Sequence, residues 1–270
     1  MFKHENLKGR VAVVTGGGGV LCGGFAKDLA RQGVKVAVLD LRLDAAQKIA
    51  DEINAEGFEA IGVACNVLEK ESLEAARAEI NEKIGTCDIL INGAGGNHPS
   101  GNTTKEKFQA GDLEATDDIK TFFDLDPKGI EFVFNLNFLG TLLPTQTFAR
   151  DMAGKDDGVI INVSSMNSFR PLTKIPAYSG AKAAVSNFTQ WLAVHFAPVG
   201  IRVNAIAPGF IVTEMTDNAS NASRSLWLDM IPMRRGGKPE EVADVAVFLG
   251  SDMASYVSGQ VIGCCGGLLP

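Results

Sequence analysis

Residues 10–33, RVAVVTGGGGVLCGGFAKDLARQG, decide the fold. The run Arg10–Thr15 is rich in β-branched residues with little alternation, which is typical of a strand buried on both faces of a parallel sheet. Four glycines, Gly16–Gly19, follow it, and then a helical stretch, Phe25–Gln32, that ends at Gly33. A strand, a glycine loop and a helix in this order predict a turn that holds a pyrophosphate at the helix N-terminus. A tight turn without a ligand is the alternative interpretation.

The remainder of the chain repeats this alternation of strand and helix. Strands are predicted over residues 34–39, 58–65, 88–91, 159–163, 201–206 and 259–262, and helices over 43–56, 69–84, 128–152, 176–197 and 239–250. We therefore expect an α/β fold, a doubly wound (Rossmann) parallel sheet of about seven strands with helices on both faces. No Pro/Gly/Ser-rich linker divides residues 1–270, so one domain is predicted. The irregular segments 97–127 and 208–237 are expected to be substrate loops.

Composition argues against several classes of partner. The formal net charge is −7, which disfavours nucleic acid and anionic membrane surfaces. No apolar run reaches transmembrane length, and the polar start does not resemble a signal peptide. The five cysteines form no CxxC pair, and the three histidines are far apart in sequence. These features predict a reduced, cytoplasmic protein without a metal site.

The second predicted strand ends at Asp40, about twenty residues after the glycines. An acidic residue at this position is placed to bond both ribose hydroxyls of an adenosine and to repel a 2′-phosphate. The sequence therefore favours NAD over NADP, although the nearby Arg42 could soften that preference. An N-cap of the following helix is the alternative role for Asp40.

Tyr178 and Lys182 are four residues apart at the start of the helix predicted over 176–197. Positions i and i+4 share one helix face, so a phenol and an ammonium can enter one pocket. A nearby ammonium favours the phenolate and is expected to lower the pKa of Tyr178. This spacing predicts a general acid/base that exchanges a proton with an alcohol or a carbonyl oxygen.

Several short motifs follow one another in a fixed order. They are Thr15-Gly16…Gly19, Asp40, Asn92-Gly93-Ala94-Gly95, Asn137, Ser165, Tyr178-xxx-Lys182 and Pro208-Gly209-x-Ile211-x-Thr213. In this order and these contexts, the chain resembles the short-chain dehydrogenase/reductase family from end to end. The resemblance implies an enzyme that transfers a hydride between a nicotinamide cofactor and an alcohol or ketone.

The resemblance also implies a role for each catalytic position. Tyr178 would exchange the proton, and Lys182 would adjust its pKa and bond the nicotinamide ribose. Ser165 would hydrogen-bond the reacting oxygen, and Asn137 would hold a water that links Lys182 to solvent.

A larger set of positions is assigned to the cofactor. It comprises Gly16, Gly19, Leu21, Asp40, Asn66, Val67, Asn92, Gly93, Ala94, Tyr178, Lys182, Pro208, Ile211 and Thr213. Asn66 and Val67 would contact the adenine, while the Ile211 backbone and the Thr213 hydroxyl would fix the carboxamide.

Four positions depart from the family pattern. Cys22 stands where a glycine is expected, Gly93 where an asparagine is, Asn66 where an aspartate is, and Cys265 where an aspartate is common. We expect the Cys22 side chain to crowd the pyrophosphate or to loosen the contact between helix and strand.

Three further stretches, residues 95–99, 122–127 and 137–146, together with 174–179, resemble the D-mannonate oxidoreductases (fructuronate reductases) within the family. A sugar acid is therefore the expected substrate, and a gluconate or polyol dehydrogenase is the alternative. A catalytically idle nucleotide-binding sensor or scaffold is the alternative from another class. The resemblance also implies a homodimer or homotetramer formed through the helices that carry Asn137 and Tyr178.

Five polar residues flank the predicted substrate pocket: Asn97, His98, Asn167, Arg170 and Lys174. Arg170 or Lys174 could pair with a substrate carboxylate, or each could be a solvated loop charge. His98 could bond a sugar hydroxyl or cap a turn.

Overall fold

A computed structural model describes residues 4–114, 118–213 and 228–268 of the chain. Its strands are β1 (Val11–Thr15), β2 (Lys35–Asp40), β3 (Ala60–Ala64), β4 (Ile89–Asn92), β5 (Val159–Val163), β6 (Arg202–Pro208) and β7 (Val261–Cys264). They form one sheet in the order β3-β2-β1-β4-β5-β6-β7, and every neighbouring pair is parallel. The predicted doubly wound sheet of seven strands is confirmed.

The helices lie between these strands along the chain. They are α1 (Val20–Arg31), α2 (Leu43–Ala55), α3 (Lys70–Lys83), α4 (Pro127–Phe134), α5 (Gly140–Met152), α6 (Pro176–Phe196) and α7 (Pro239–Gly250). A π-helical turn, Asn135–Leu139, joins α4 to α5. The helix expected over residues 128–152 is therefore interrupted in its middle.

Side chains of the sheet alternate between two apolar cores, one on each face. Val14 of β1 packs with α1, α2 and α7 through residues such as Phe25 and Val247. Its neighbour Val13 packs on the opposite face with α3, α5 and α6, through residues such as Phe148. Because both faces are covered, the strands are apolar throughout, which explains the weak alternation of their sequence.

Two element boundaries differ from those expected. Helix α1 begins at Val20 rather than at Phe25, because the glycine turn closes at once, with the Gly19 N–H donating to the Gly16 carbonyl at 3.1 Å. Strand β7 begins two residues after the predicted start, beyond Gly259, which has a φ of +75°. The left-handed backbone at Gly259 belongs to a turn and not to a strand.

The carboxyl ends of all seven strands lie along one edge of the sheet. The strand order reverses between β1 and β4, where Thr15 is in register with Asn92. In open α/β sheets this reversal opens a crevice in which ligands bind. Asp40 ends β2, and Ser165 follows β5 by two residues, so the predicted site residues come to this edge.

Candidate active site

The four-glycine turn forms a narrow cradle at the end of β1. Gly16 has a φ of +65°, and a Cβ there would lie 2.9 Å from the backbone of Ala94. The Gly23 N–H donates to the Gly19 carbonyl at 2.7 Å, which is the first hydrogen bond of α1. The N–H groups of the first turn, including that of Leu21, therefore point out of the helix end. Such a turn suits a phosphate group.

Asp40 closes the other side of this cradle. Its carboxylate accepts hydrogen bonds from the Gly18 N–H at 3.2 Å and the Arg42 N–H at 3.1 Å. A Cβ on Gly18 would lie 2.9 Å from the nearer carboxylate oxygen. The N-cap of α2 is Arg42 and not Asp40, so Asp40 does not have the alternative role of capping that helix. The carboxylate is thus fixed beside the glycine turn and remains partly exposed.

The Asn66 side chain forms its hydrogen bonds within its own turn. Its Oδ1 accepts from the Leu68 N–H at 3.1 Å, and its Nδ2 donates to Glu69 at 2.8 Å. Val67 is buried, with a methyl carbon 3.2 Å from where a Cβ on Gly140 would lie. The structure therefore gives the Asn66 side chain a local capping function before α3.

Thr15 anchors the loop that follows β4. Its Oγ1 accepts from the N–H groups of Gly93 at 3.1 Å and Ala94 at 3.2 Å. The side chain of Asn92 points instead into the interior, where its Nδ2 donates to Thr145 and Asn162 at 2.9 Å each. Of the three predicted positions, Asn92 supports the loop from within, and Gly93 and Ala94 form its partly exposed backbone.

Cys22 and Gly93 fit together as one packing unit. Cys22 is buried, and a Cβ placed on Gly93 would lie 2.2 Å from its Sγ. The sulfur therefore occupies the space that a side chain at position 93 would need. The expectation that Cys22 crowds the pyrophosphate is not what the structure shows, because its side chain packs against the β4 loop. Burial raises the pKa of this thiol to about 12, so it stays protonated.

Lys182 and Asn137 meet beside Gly95. The Lys182 Nζ is buried and donates to the Val163 carbonyl at 2.7 Å. A Cβ on Gly95 would lie 2.7 Å from Asn137 Oδ1 and 3.2 Å from Lys182 Nζ, so only glycine fits between them. Burial lowers the pKa of Lys182 from 10.5 to about 8.

Asn137 lies within the π-helical turn and is fully buried. Its Nδ2 donates to the carbonyls of Gly96 at 2.7 Å and Val133 at 2.8 Å, and its Oδ1 accepts from the Gly96 N–H at 3.2 Å. A π-helical turn inside a helix often marks a functional position. Here the turn carries the side chain that clamps the β4 loop.

The side chains of Ser165 and Tyr178 lie close enough to interact. Burial raises the pKa of Tyr178 above its usual value, and the interaction with Ser165 opposes this shift. Lys182 Nζ lies over the ring, 5.7 Å from its centre. The pKa of Tyr178 therefore shifts in the opposite direction from the one expected from the spacing.

The segment after β6 approaches the site from the far side. Pro208 ends β6, and the next N–H, of Gly209, donates to the Cys264 carbonyl at 2.9 Å. Ile211 forms a parallel bridge with Gly237. Thr213 follows as the last described residue before 214–227, so residues 214–227 of the predicted loop 208–237 lie outside the described residues.

Three predicted substrate residues form other contacts. The His98 Nδ1 accepts from the Ser100 N–H at 3.2 Å, which is the turn-capping alternative. Asn97 is exposed and donates to Asn102. Lys174 is exposed and forms an ion pair with Glu106 at 3.8 Å. None of these contacts, all of them between described residues, is with a catalytic residue.

Arg170 and Asn167 lie on the segment that follows Ser165. With Phe169, Arg170 lines a cavity of about 770 Å³ whose opposite side includes Cys265 and Leu268. Within the described part of the chain, the Arg170 guanidinium forms no ion pair or side-chain hydrogen bond. Asn167 is buried, and its backbone N–H donates to Ser165 Oγ at 3.2 Å.

Two features of the site were not predicted from the sequence: Thr15 anchors the loop after β4, and Cys22 packs against Gly93. A hydroxyl at the last position of an apolar strand, directly before glycines, was the available signal for Thr15. For Cys22 no local signal exists, since its partner is 71 residues away in sequence.

The site therefore combines an anion cradle, an adjacent acid and a buried Ser-Tyr-Lys cluster. A family model for short-chain dehydrogenases, described as enoyl-(acyl carrier protein) reductase, matches residues 21–269. The chain belongs to the short-chain dehydrogenase/reductase family, as predicted, and is an oxidoreductase of alcohol or keto groups.

Individual relatives resemble the chain over nearly its whole length. An uncharacterised oxidoreductase of Haemophilus influenzae is 52% identical over 272 residues, covering 98% of this chain and 94% of the relative. The uncharacterised oxidoreductase UxuB of Bacillus subtilis is 43% identical, covering 98% and 97%. A crystal structure of a Haemophilus influenzae protein provisionally named a D-mannonate oxidoreductase, with bound NAD, superposes with a TM-score of 0.92 at 50% identity. It covers 97% of this chain and 95% of that one.

The described residues contain neither a membrane-spanning helix nor a cluster of metal ligands. None of the described helices is both long and apolar enough to cross a membrane. Within the same ranges, no group of three or more His, Cys, Asp or Glu side chains is arranged to hold a metal ion.

Proposed function

We propose that the chain catalyses the reversible NAD-linked oxidation of a secondary alcohol of a sugar acid, with D-mannonate and D-fructuronate as the substrate pair. The observation that carries the proposal is Arg170, whose guanidinium has no partner among the described residues and which lines, with Phe169, a cavity on the segment that follows Ser165. The similarity to a protein provisionally named a D-mannonate oxidoreductase supports the same substrate.

The residues present fit a dinucleotide. The Gly16–Gly19 turn has no side chain over the free N–H groups of α1, including that of Leu21, so a pyrophosphate can approach. Two backbone N–H groups hold the Asp40 carboxylate beside the glycine turn, where it would bond an adenosine ribose, and this favours NAD over NADP. The other proposed contacts are Asn66, Val67, Gly93, Ala94, Lys182, Pro208, Ile211 and Thr213, with Asn92 as a buried support. NAD, when bound, supplies the group that accepts or donates the hydride.

The protein's own contribution is the movement of a proton and the placement of charge. Tyr178 accepts the alcohol proton during oxidation and returns it during reduction. Ser165, whose side chain lies close to Tyr178, donates to the same substrate oxygen and stabilises its developing charge. The Lys182 ammonium beneath the ring favours the phenolate, and Asn137 holds the β4 loop in contact with that ammonium.

The substrate end of the site is formed by residues after Ser165 and by the two irregular segments. Arg170 can form paired hydrogen bonds with a carboxylate, which a lone Lys cannot do as well. Lys174 is the weaker candidate, because Glu106 already neutralises it. We propose that 97–127 and 208–237 bound the substrate within one catalytic domain, residues 1–270.

A panel of sugar acids and neutral polyols, followed by NADH absorbance, tests this function. We expect turnover of D-mannonate and a rise in its KM of about 10-fold or more for Arg170→Gln, with little change for a neutral polyol. Lys174→Gln is the matched control and should leave both substrates nearly unchanged. Turnover of polyols or steroids without any uronate-type acid would reject the proposed substrate. A Tyr178→Phe variant that kept full turnover would instead favour the sensor or scaffold.

We also propose that the chain forms a homo-oligomer through α6. Trp191 is 55% exposed and stacks on His195 at 4.5 Å and on Phe188 at 6.0 Å between ring centres. Val194, beside them, is 78% exposed. An exposed aromatic stack of this kind favours burial against a second copy. The cytoplasmic location and the absence of nucleic-acid and membrane partners stay predictions from charge and composition.

A further inference from the structure

The Asn167 side chain is buried without a hydrogen-bond partner. The residue is 6% exposed, and its Oδ1 is sealed from solvent and unpaired. Its Nδ2 forms no hydrogen bond with the described residues, but unlike Oδ1 it is not sealed from solvent. Buried amides are almost always hydrogen-bonded, and one that is not destabilises the folded protein. An orphan of this kind calls for a group that the chain itself does not provide.

The other buried side-chain atoms without a partner among the described residues are Asn6 Nδ2, Asn81 Oδ1, Asn92 Oδ1 and Asp151 Oδ2. Asn92 and Asp151 are bonded through their second polar atom, since Asn92 Nδ2 donates twice and Asp151 Oδ1 accepts from Arg77. Asn167 differs from Asn6 and Asn81 in its place, because its backbone N–H donates to Ser165 Oγ at the candidate active site.

The fold also holds the backbone of Asn167 next to Ser165. The Asn167 backbone N–H donates to Ser165 Oγ at 3.2 Å. The turn is closed by Ser168, whose N–H and Oγ both bond the Ser165 carbonyl, at 3.0 and 2.7 Å. The Ser165 side chain in turn lies close to Tyr178. The residue that carries the unpaired amide is therefore placed beside the reacting groups.

We propose that Asn167 binds a substrate hydroxyl on a carbon adjacent to the one that reacts. A hydroxyl both donates and accepts, so it can pair with either amide atom after rotation of the side chain. A carboxylate can only accept, and an alkyl group would leave the amide unpaired. The inference rests on the proposed function only in requiring a polyhydroxylated substrate. It makes Asn167 the residue that selects hydroxylated chains over simple alcohols.

The variant Asn167→Leu, which keeps the branching and the number of heavy atoms of the side chain, tests the proposal by two independent measurements. Because an unpaired amide is removed, the Tm of the ligand-free protein should rise by about 2 °C or more. The kcat/KM for the substrate should fall by about 10-fold or more, since the substrate hydroxyl loses its partner. The loss should shrink for a deoxy analogue that lacks the neighbouring hydroxyl.

Asn204→Leu is the matched control. Asn204 is equally buried, but its amide donates to the Val257 carbonyl at 2.8 Å and accepts from the Gln260 N–H at 3.0 Å. This variant should lower the Tm.

Two results would overturn the inference. A lower Tm for Asn167→Leu would mean that the amide is satisfied within the protein, whatever the substrate is. A higher Tm with unchanged kcat/KM would mean that no substrate group pairs with it. If polyols react and sugar acids do not, the proposed function fails, but the same measurements on the polyol still decide the role of Asn167.

Discussion

Gly93→Ala is the substitution that should most disturb the cofactor cleft without removing a reactive group. The added Cβ would lie 2.2 Å from Cys22 Sγ and 2.9 Å from the Thr15 carbonyl oxygen. Both distances are far shorter than a normal contact, so the β4 loop or the start of α1 must move. The Gly93 and Ala94 N–H groups, which bond Thr15 Oγ1, would move with the loop. Lower NADH affinity is therefore expected together with lower stability.

The size of the effect follows from the cost of overpacking. Inserting a methyl group into a filled core costs about 1 to 3 kcal/mol, and a 2.2 Å approach belongs at the upper end. About 3 kcal/mol corresponds to a Tm lower by roughly 6 to 12 °C in a chain of this size. Cys22→Ala alone removes one sulfur atom and should cost about 1 kcal/mol. In the double variant the sulfur contact is absent and only the Thr15 contact remains.

The assay is a double-mutant cycle, with denaturant unfolding for stability and NADH fluorescence for binding. We expect Cys22→Ala/Gly93→Ala to recover at least half of the stability lost in Gly93→Ala, a coupling of about 1 kcal/mol or more. Gly24→Ala, on the same helix as Cys22, is the control, because the nearest atom to its added Cβ is 3.9 Å away. If the two single effects simply add within about 0.5 kcal/mol, the packing argument is refuted.

Three further predictions concern the cofactor, the reaction and the assembly. Asp40→Ser should raise the NADP-to-NAD ratio of kcat/KM by about 100-fold, because a carboxylate no longer faces the 2′-phosphate; equal ratios in both proteins would contradict this. Burial places the Lys182 pKa near 8 and the Tyr178 pKa above its usual value, while oxidation requires ammonium and phenolate together. The kcat/KM for oxidation should therefore rise up to about pH 8 and then level off, and a profile already flat from pH 6 would exclude this order of pKa values. Trp191→Glu should lower the molecular mass in sedimentation, since it places a charge on the exposed stack, and an unchanged mass would exclude α6 as the interface.

Much of the edge formed by the carboxyl ends of the strands was predictable, because the sequence patterns that mark a strand end are local. A β-branched run followed by glycines, or by an acid, identifies the end of a parallel strand without knowledge of the rest. Asp40 was located in this way and Ser165 through the resemblance to the family's order of motifs, and both lie at the predicted edge. The pairing of Cys22 with Gly93 was not predictable, because it joins two elements that are distant in sequence. Cys22 and Gly93 both depart from the family pattern. In the structure the two departures compensate each other, because the Cys22 sulfur fills the space that a side chain at position 93 would need.

The spacing of Tyr178 and Lys182 shows the limit of a helical pattern most clearly. An i, i+4 relation places two side chains on one face, but it does not determine where the ends of long side chains go. In the structure the Lys182 ammonium reaches past the ring to the Val163 carbonyl, and the Ser165 side chain lies close to the phenol. Burial then acts on both groups in the direction that removes charge, so it outweighs their mutual attraction. Before the reaction Tyr178 is a neutral phenol and Lys182 is an ammonium whose pKa is lowered. The phenolate forms as a minor species during the reaction.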